Sequence, residues 1–186
     1  TDGRHGSKIL AESTTRILNE IMRALTEPNI VIVGIHGTSN ANRENTVEKV
    51  RRRVERDGLF NVVVKTSVMK KPDLKGIQGE VGKALGLQLH ERTLEERASR
   101  LCERIKMEEK ILIILDDLHG EINLAKIGIP FGNDHKGCKI LLAVEKLEVL
   151  SDEMKIPTIF SVDEPTRSRQ VLTSGKNSWI KRWWCP

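Results

Sequence analysis

Residues 110–118 read Lys-Ile-Leu-Ile-Ile-Leu-Asp-Asp-Leu (KILIILDDL), and the architecture is worked out from them. The apolar run Ile111–Leu115 is too short to be a helix buried all round. It has the length of a strand covered on both faces, which is the pattern of a parallel sheet. Similar short runs lie on either side: KILLAV at 139–144, NVVVKTSV at 61–68 and IVIVG at 30–34. Between them, apolar residues recur at helical spacing. Val47, Val50 and Val54 mark one helix ending near Gly58, and Leu74, Ile77, Val81 and Leu85 mark another ending at Gly86. Thr93-Leu94-Glu95-Glu96 has the form of a capping box and opens a third helix, with Leu94, Ala98, Leu101 and Ile105 inward. Upstream, residues 8–26 carry Ile17, Ile21 and Leu25 on one face until Pro28 stops them. Strands alternating with helices predict βαβ units with right-handed crossovers, an α/β fold with a largely parallel sheet flanked by helices.

The chain has 186 residues, enough for about one domain with a real core. Aromatic residues make up 3%, Tyr is absent, and all three Trp fall in the last eight positions, so the core is expected to be aliphatic. The longest apolar runs fall far short of the roughly 20 residues a membrane helix needs. No secretory-type segment opens the chain, and the missing initiator Met reads as an excerpt of something longer. Cys102, Cys138 and Cys185 lack metal or disulfide-framework spacing, and His5, His36, His90, His119 and His135 are scattered, so a reducing cytoplasmic setting is expected. Lys plus Arg is 31 against 26 for Asp plus Glu, a mild excess that tolerates anionic partners without demanding them. Residues 8–162 are expected to form the domain. Over 163–186 the periodicity fades, and a disordered or foreign tail is expected there. Its Trp, Lys and Arg residues would suit nucleic acid or a lipid interface, but they lack an amphipathic period, so no nucleic-acid partner is expected.

Ligands of open α/β sheets bind beyond the carboxyl ends of the strands. Two ends stand out. After the first strand, the polar stretch His36–Glu44 is expected to be a loop leading into a helix, where a phosphate-binding G-x-x-x-x-G-K-[ST] would lie. Gly37 takes the first Gly place, but Asn42, Arg43 and Glu44 stand where Gly, Lys and Ser or Thr belong. The second end is Asp116-Asp117 after Ile111–Leu115. An acidic pair after an apolar strand is the Walker B form, in which one carboxylate holds the Mg²⁺ shell and the next orients a water.

Further segments carry a resemblance: LNEIMRAL (18–25), GLFNVVV (58–64), PDLKGIQGEVGKALGLQL (72–89), ERASRLCERIK (96–106), ILIILDDL (111–118), IGIPFGNDHKGCKILL (127–142) and EVLSDEM (148–154). In this order they resemble the nucleotide-binding subdomain of plant NB-ARC disease-resistance proteins of the coiled-coil NLR kind. The resemblance implies a P-loop NTPase-like sheet and a STAND-type switch that binds ADP or ATP with Mg²⁺ in defence signalling. It aligns the family's G-M-G-G-V-G-K-T-T without a gap on Gly37, Thr38, Ser39, Asn40, Ala41, Asn42, Arg43, Glu44 and Asn45, the implied nucleotide-binding residues. It gives Asp116 to Mg²⁺ through water and Asp117 to poising the hydrolytic water. Other NLR or signalling proteins are the implied partners.

The departures have physical signs. Asn42 adds bulk where glycine lets the backbone approach phosphate. Arg43 keeps a charge but not a compact ammonium. Glu44 removes a hydroxyl and sets a carboxylate beside phosphate, a repulsion of roughly 4 kcal/mol at about 4 Å and an effective dielectric of about 20. After the fourth strand, Ala143-Val144-Glu145 places an acid where the family carries Arg. Weakened nucleotide binding without hydrolysis is therefore expected. The alternative is a nucleotide-free interaction module or a truncated pseudo-resistance protein.

Overall fold

The computed structural model describes residues 3–68, 70–163 and 170–171, with side chains for 14–68 and 70–163. The strands are β1 (Ile32–His36), β2 (Val62–Ser67), β3 (Ile111–Leu118), β4 (Cys138–Val144), β5 (Thr158–Ser161) and β6 (Gln170–Val171). The helices are α1 (Gly3–Thr26), α2 (Asn40–Arg56), α3 (Leu74–Ala84), α4 (Leu94–Lys106) and α5 (Leu124–Ile127), with a π-helical turn at Val149–Glu153. One sheet runs β2-β3-β4-β1-β5-β6. Its first five strands are parallel and β6 is antiparallel to β5.

Period-two alternation in β3 divides the core. Ile111, Ile113 and Leu115 pack with Ile77 and Val81 of α3, Leu101 and Ile105 of α4, and Ile127 of α5. Leu112 and Ile114 face the other way, onto Ile21 and Leu25 of α1 and Val47, Val50 and Val54 of α2. A strand buried on both faces must be apolar at every position, which is why KILIILDDL lacks the polar alternation of a half-exposed strand. The core is aliphatic as expected, with Phe160 the one buried aromatic among the described residues.

The capping box forms. Thr93 accepts from the Glu96 amide at 3.2 Å, and Glu96 accepts from the Thr93 amide at 3.3 Å. Thr93→Ala is expected to cost about 1 kcal/mol in urea unfolding, and a loss of under about 0.3 kcal/mol would contradict it.

Three local expectations are corrected. The first strand starts at Ile32 rather than Ile30, because the Ile30 amide closes a turn onto Glu27 O at 3.2 Å. That turn is pinned from β4, where the buried Lys139 ammonium donates to the carbonyls of Glu27 and Ile30. Second, His36–Glu44 is not a loop: α2 begins at Asn40, leaving only Gly37, Thr38 and Ser39 between strand and helix. Ser39 caps this helix, its hydroxyl accepting from the Asn42 amide at 3.3 Å. Third, the segment after Asp163 is not wholly irregular, since Gln170 and Val171 pair with β5. The rest of that tail, residues 164–169 and 172–186 with Cys185 and the Trp residues, lies outside the described residues. Among the described residues no helix is long and apolar enough to cross a membrane.

Candidate functional site

Parallel strands send their carboxyl ends to one edge of the sheet, so the residues following β1, β3, β4 and β5 come together there. β4 lies between β1 and β3, and β5 flanks β1 on the other side. The Gly37 amide donates to Val144 O at 3.2 Å, and the Val162 amide donates to His36 O at 2.9 Å. These bonds tie the end of β1 to both neighbours.

Of Gly37 to Asn45, the first three residues lie in the connection. Asn40, Ala41, Asn42, Arg43, Glu44 and Asn45 form the opening turns of α2. Glu44 and Asn45 are exposed on the helix. Arg43 turns inward and is 3% exposed. Its guanidinium donates to Gly37 O and, at 3.1 Å, to Asn40 Oδ1, and it stands 3.5 Å from Asp117 Oδ1. The Arg43 Nε–H is buried without a hydrogen-bond partner. The Arg43 amide is spent on Ser39 O at 3.1 Å, an ordinary helical bond.

The acidic pair at the end of β3 is set by a kink. Asp117 has φ 55, and its amide donates to Asp116 Oδ1 at 2.8 Å. This shifts the β3–β4 register between Leu115 and Leu118. A short polar side chain bonding locally is the kind of non-glycine residue that tolerates this conformation. Asp116 is largely buried, with Lys65 Nζ of β2 at 3.4 Å from its Oδ2. His119 Nε2 lies 3.1 Å from Asp117 Oδ1. Both carboxylates thus face cationic or ring-nitrogen partners from the chain itself. Glu145 is exposed beyond β4.

Sequence reasoning missed two residues. Asp163, after β5, accepts from the Thr38 amide and, at 3.3 Å, from the Ser39 amide. Burial pushes the Asp163 carboxyl up, but the bonds donated by Thr38 and Ser39 and the nearby His36 outweigh it and hold the group below its ordinary value. No local signal announces a contact across 125 positions. Lys65 is the other. Its one visible sign is a charge inside the apolar stretch NVVVKTSV, which by itself reads as a solvent-facing strand residue.

A hexacoordinate Mg²⁺ needs open oxygen donors. Here the Asp116 carboxylate already carries Lys65, and position 44 offers an exposed carboxylate on α2 instead of a hydroxyl. No group of three or more His, Cys, Asp or Glu able to hold a metal ion is present among the described residues. As arranged, the donors do not fit Mg²⁺. The Cys138 thiol adds no chemistry: burial pushes it up to about 12.

A parallel sheet with β4 between β1 and β3, a strand-to-helix turn after β1 and an acidic pair after β3 defines a P-loop NTPase-like α/β domain. The NB-ARC domain profile matches residues 13–164, and the chain belongs to that family. It is similar to the probable disease resistance protein At5g47260 of Arabidopsis thaliana, 31% identical over 146 residues, which are 78% of this chain and 15% of that one. It is also similar to the Arabidopsis disease resistance protein SUMM2, 27% identical over 136 residues, 72% of this chain and 15% of that one. The chain therefore spans about 15% of the length of these relatives. Among solved structures, a chain of Drosophila ORC bound to DNA superposes with a TM-score of 0.55 at 11% identity, covering 90% of this chain and 99% of that one. A second, Drosophila ORC bound to AT-rich DNA and Cdc6, gives 0.51 at 13% identity, covering 87% and 60%. These two likenesses are of fold. Family and fold together mark the chain as a module of nucleotide-binding type.

Proposed function

We propose that the chain is a plant defence module of nucleotide-binding descent in which affinity for ADP or ATP is weakened and hydrolysis is lost. The observation that carries this reading is the early start of α2. With Asn40 already helical, the Arg43 amide is a helix donor and the Arg43 side chain is folded onto Gly37, Asn40 and Asp117 rather than presented to a phosphate. The Glu44 carboxylate beside this turn and Glu145 beyond β4 add charge of the wrong sign for a polyphosphate. Catalysis needs a metal to neutralise the phosphates and a free carboxylate to orient water, and neither requirement matches the arrangement of Asp116 and Asp117. The cytoplasm is the compartment this reading assigns, and contacts with other NLR or signalling chains are its mode of action.

A second reading, a module that works without nucleotide, is favoured by the charges of Arg43, Asp116 and Asp117 being matched internally. Thermal unfolding with and without Mg-ADP checks the first reading and separates it from the second. A ligand present at its dissociation constant adds only about 0.4 kcal/mol, whereas 100 times that concentration adds about 2.7 kcal/mol. Weakened binding predicts no shift at micromolar Mg-ADP and a rise of roughly 1–3 °C at millimolar. A rise of many degrees at micromolar Mg-ADP would overturn the weakening, and no shift at millimolar would leave the second reading standing.

A further inference from the structure

The residues at the carboxyl edge of the sheet are paired by sign. Cationic groups of the chain, Lys65 and Arg43, stand against Asp116 and Asp117. An anionic group of the chain, Asp163, is bonded to the backbone amides that open the strand-to-helix turn. Those amides sit just before a 17-residue helix, whose positive dipole end favours an anion. The segment carrying Asp163 is seated closely. A Cβ built on Gly37 would stand 2.6 Å from Val162 Cγ2 and 3.0 Å from Asp163 Oδ1, so a side chain there would have to push the Val162 and Asp163 side chains aside. Arg43 Cγ lies 3.2 Å from the same Cβ position, and the buried Arg43 Nε–H has no hydrogen-bond partner, which leaves one donor of this turn without an acceptor.

We propose that Asp163 is an intramolecular latch: its carboxylate occupies the anion position on the Thr38 and Ser39 amides, and an external polyphosphate reaches those amides only by displacing it. The inference rests on the proposed loss of nucleotide affinity and names a cause within it. The loss comes from an internal competitor as well as from the substitutions at 42, 43 and 44. The held anion is of the polyphosphate class, whether bare or carried by a nucleotide.

The probes are metal-free pyrophosphate and ADP, titrated into ¹⁵N-labelled chain while the Thr38 and Ser39 amide resonances are followed. In the unaltered protein these resonances are expected to stay put at micromolar anion and to begin to move only in the millimolar range. In Asp163→Asn, which keeps the shape and removes the charge, they are expected to move with saturation and an apparent affinity about tenfold or more above the unaltered chain, because the competent fraction is no longer held down. Binding of either anion by the variant supports the latch, and the tighter of the two names the ligand it excludes. Equal, undetectable binding by both proteins overturns it. Should the variant fail to fold, hydrogen exchange of the unaltered chain decides. The Thr38 amide belongs to an exposed residue, yet it is expected to exchange slowly because Asp163 accepts its hydrogen. Exchange at the rate of an open loop amide would overturn the latch. Tight Mg-ADP binding by the unaltered chain would instead refute the weakening itself, so the two failures are distinguishable.

Discussion

Gly128→Ala is expected to cost about 3 kcal/mol or more, a large share of the roughly 5–15 kcal/mol that holds a domain folded. Gly128 follows α5 with φ +96, where an L side chain adds about 1–2 kcal/mol of strain. The larger part is steric. A Cβ there would stand 2.2 Å from Ala98 O and 2.7 Å from Ala98 Cα, backbone atoms of α4 that cannot rotate aside. Relief requires α4 to retreat, carrying the buried Leu101 and Ile105 off β3. Gly58→Ala serves as the control. It has φ +63 and nothing within 4 Å of its Cβ, so it should show the conformational part alone, about 1 kcal/mol. Urea unfolding of both proteins measures the difference, and equal losses would refute the close-contact argument.

Arg43→Ala is expected to cost about 2–3 kcal/mol with no nucleotide present, which sets it apart from a phosphate-binding residue, whose removal would matter only when ligand is bound. Two hydrogen bonds, to Gly37 O and Asn40 Oδ1, are lost along with the packing of a side chain that is 3% exposed. The ion pair contributes less, because the Asp117 side chain is 41% exposed and screened by water. Arg43→Lys should lose about half as much, since an ammonium retains a charge near Asp117 but not the planar fork that reaches two acceptors. A change of under about 0.5 kcal/mol for Arg43→Ala would show that the guanidinium is not structural.

Elements with a long-range period were readable from the sequence. β3 is announced by its uniform apolar run, α4 by the Thr93–Glu96 box, and α3 by Leu74, Ile77 and Val81, all of which stand where their spacing puts them. The opening of α2 was not, because apolar periodicity begins only at Val47, two turns after the helix does. The one available sign was Ser39 as an N-cap. β5 escaped notice for another reason. It has four residues, follows Pro157, and is defined by pairing with β1 rather than by any pattern of its own. The acidic pair at the site was legible as a Walker B form, whereas Lys65 and Asp163 reach it through tertiary contacts that leave no local imprint.

The strand order has a consequence for biosynthesis. β1 is flanked by β4 and β5, so Ile32 finds Ile140, and Gly34 finds Ile159, only after more than a hundred further residues have been made. At a synthesis rate of about 5–20 residues per second, the nascent chain displays an unmated aliphatic edge for on the order of ten seconds. During that interval the domain's own packing cannot cover the edge, which stays open to pairing with neighbouring polypeptides.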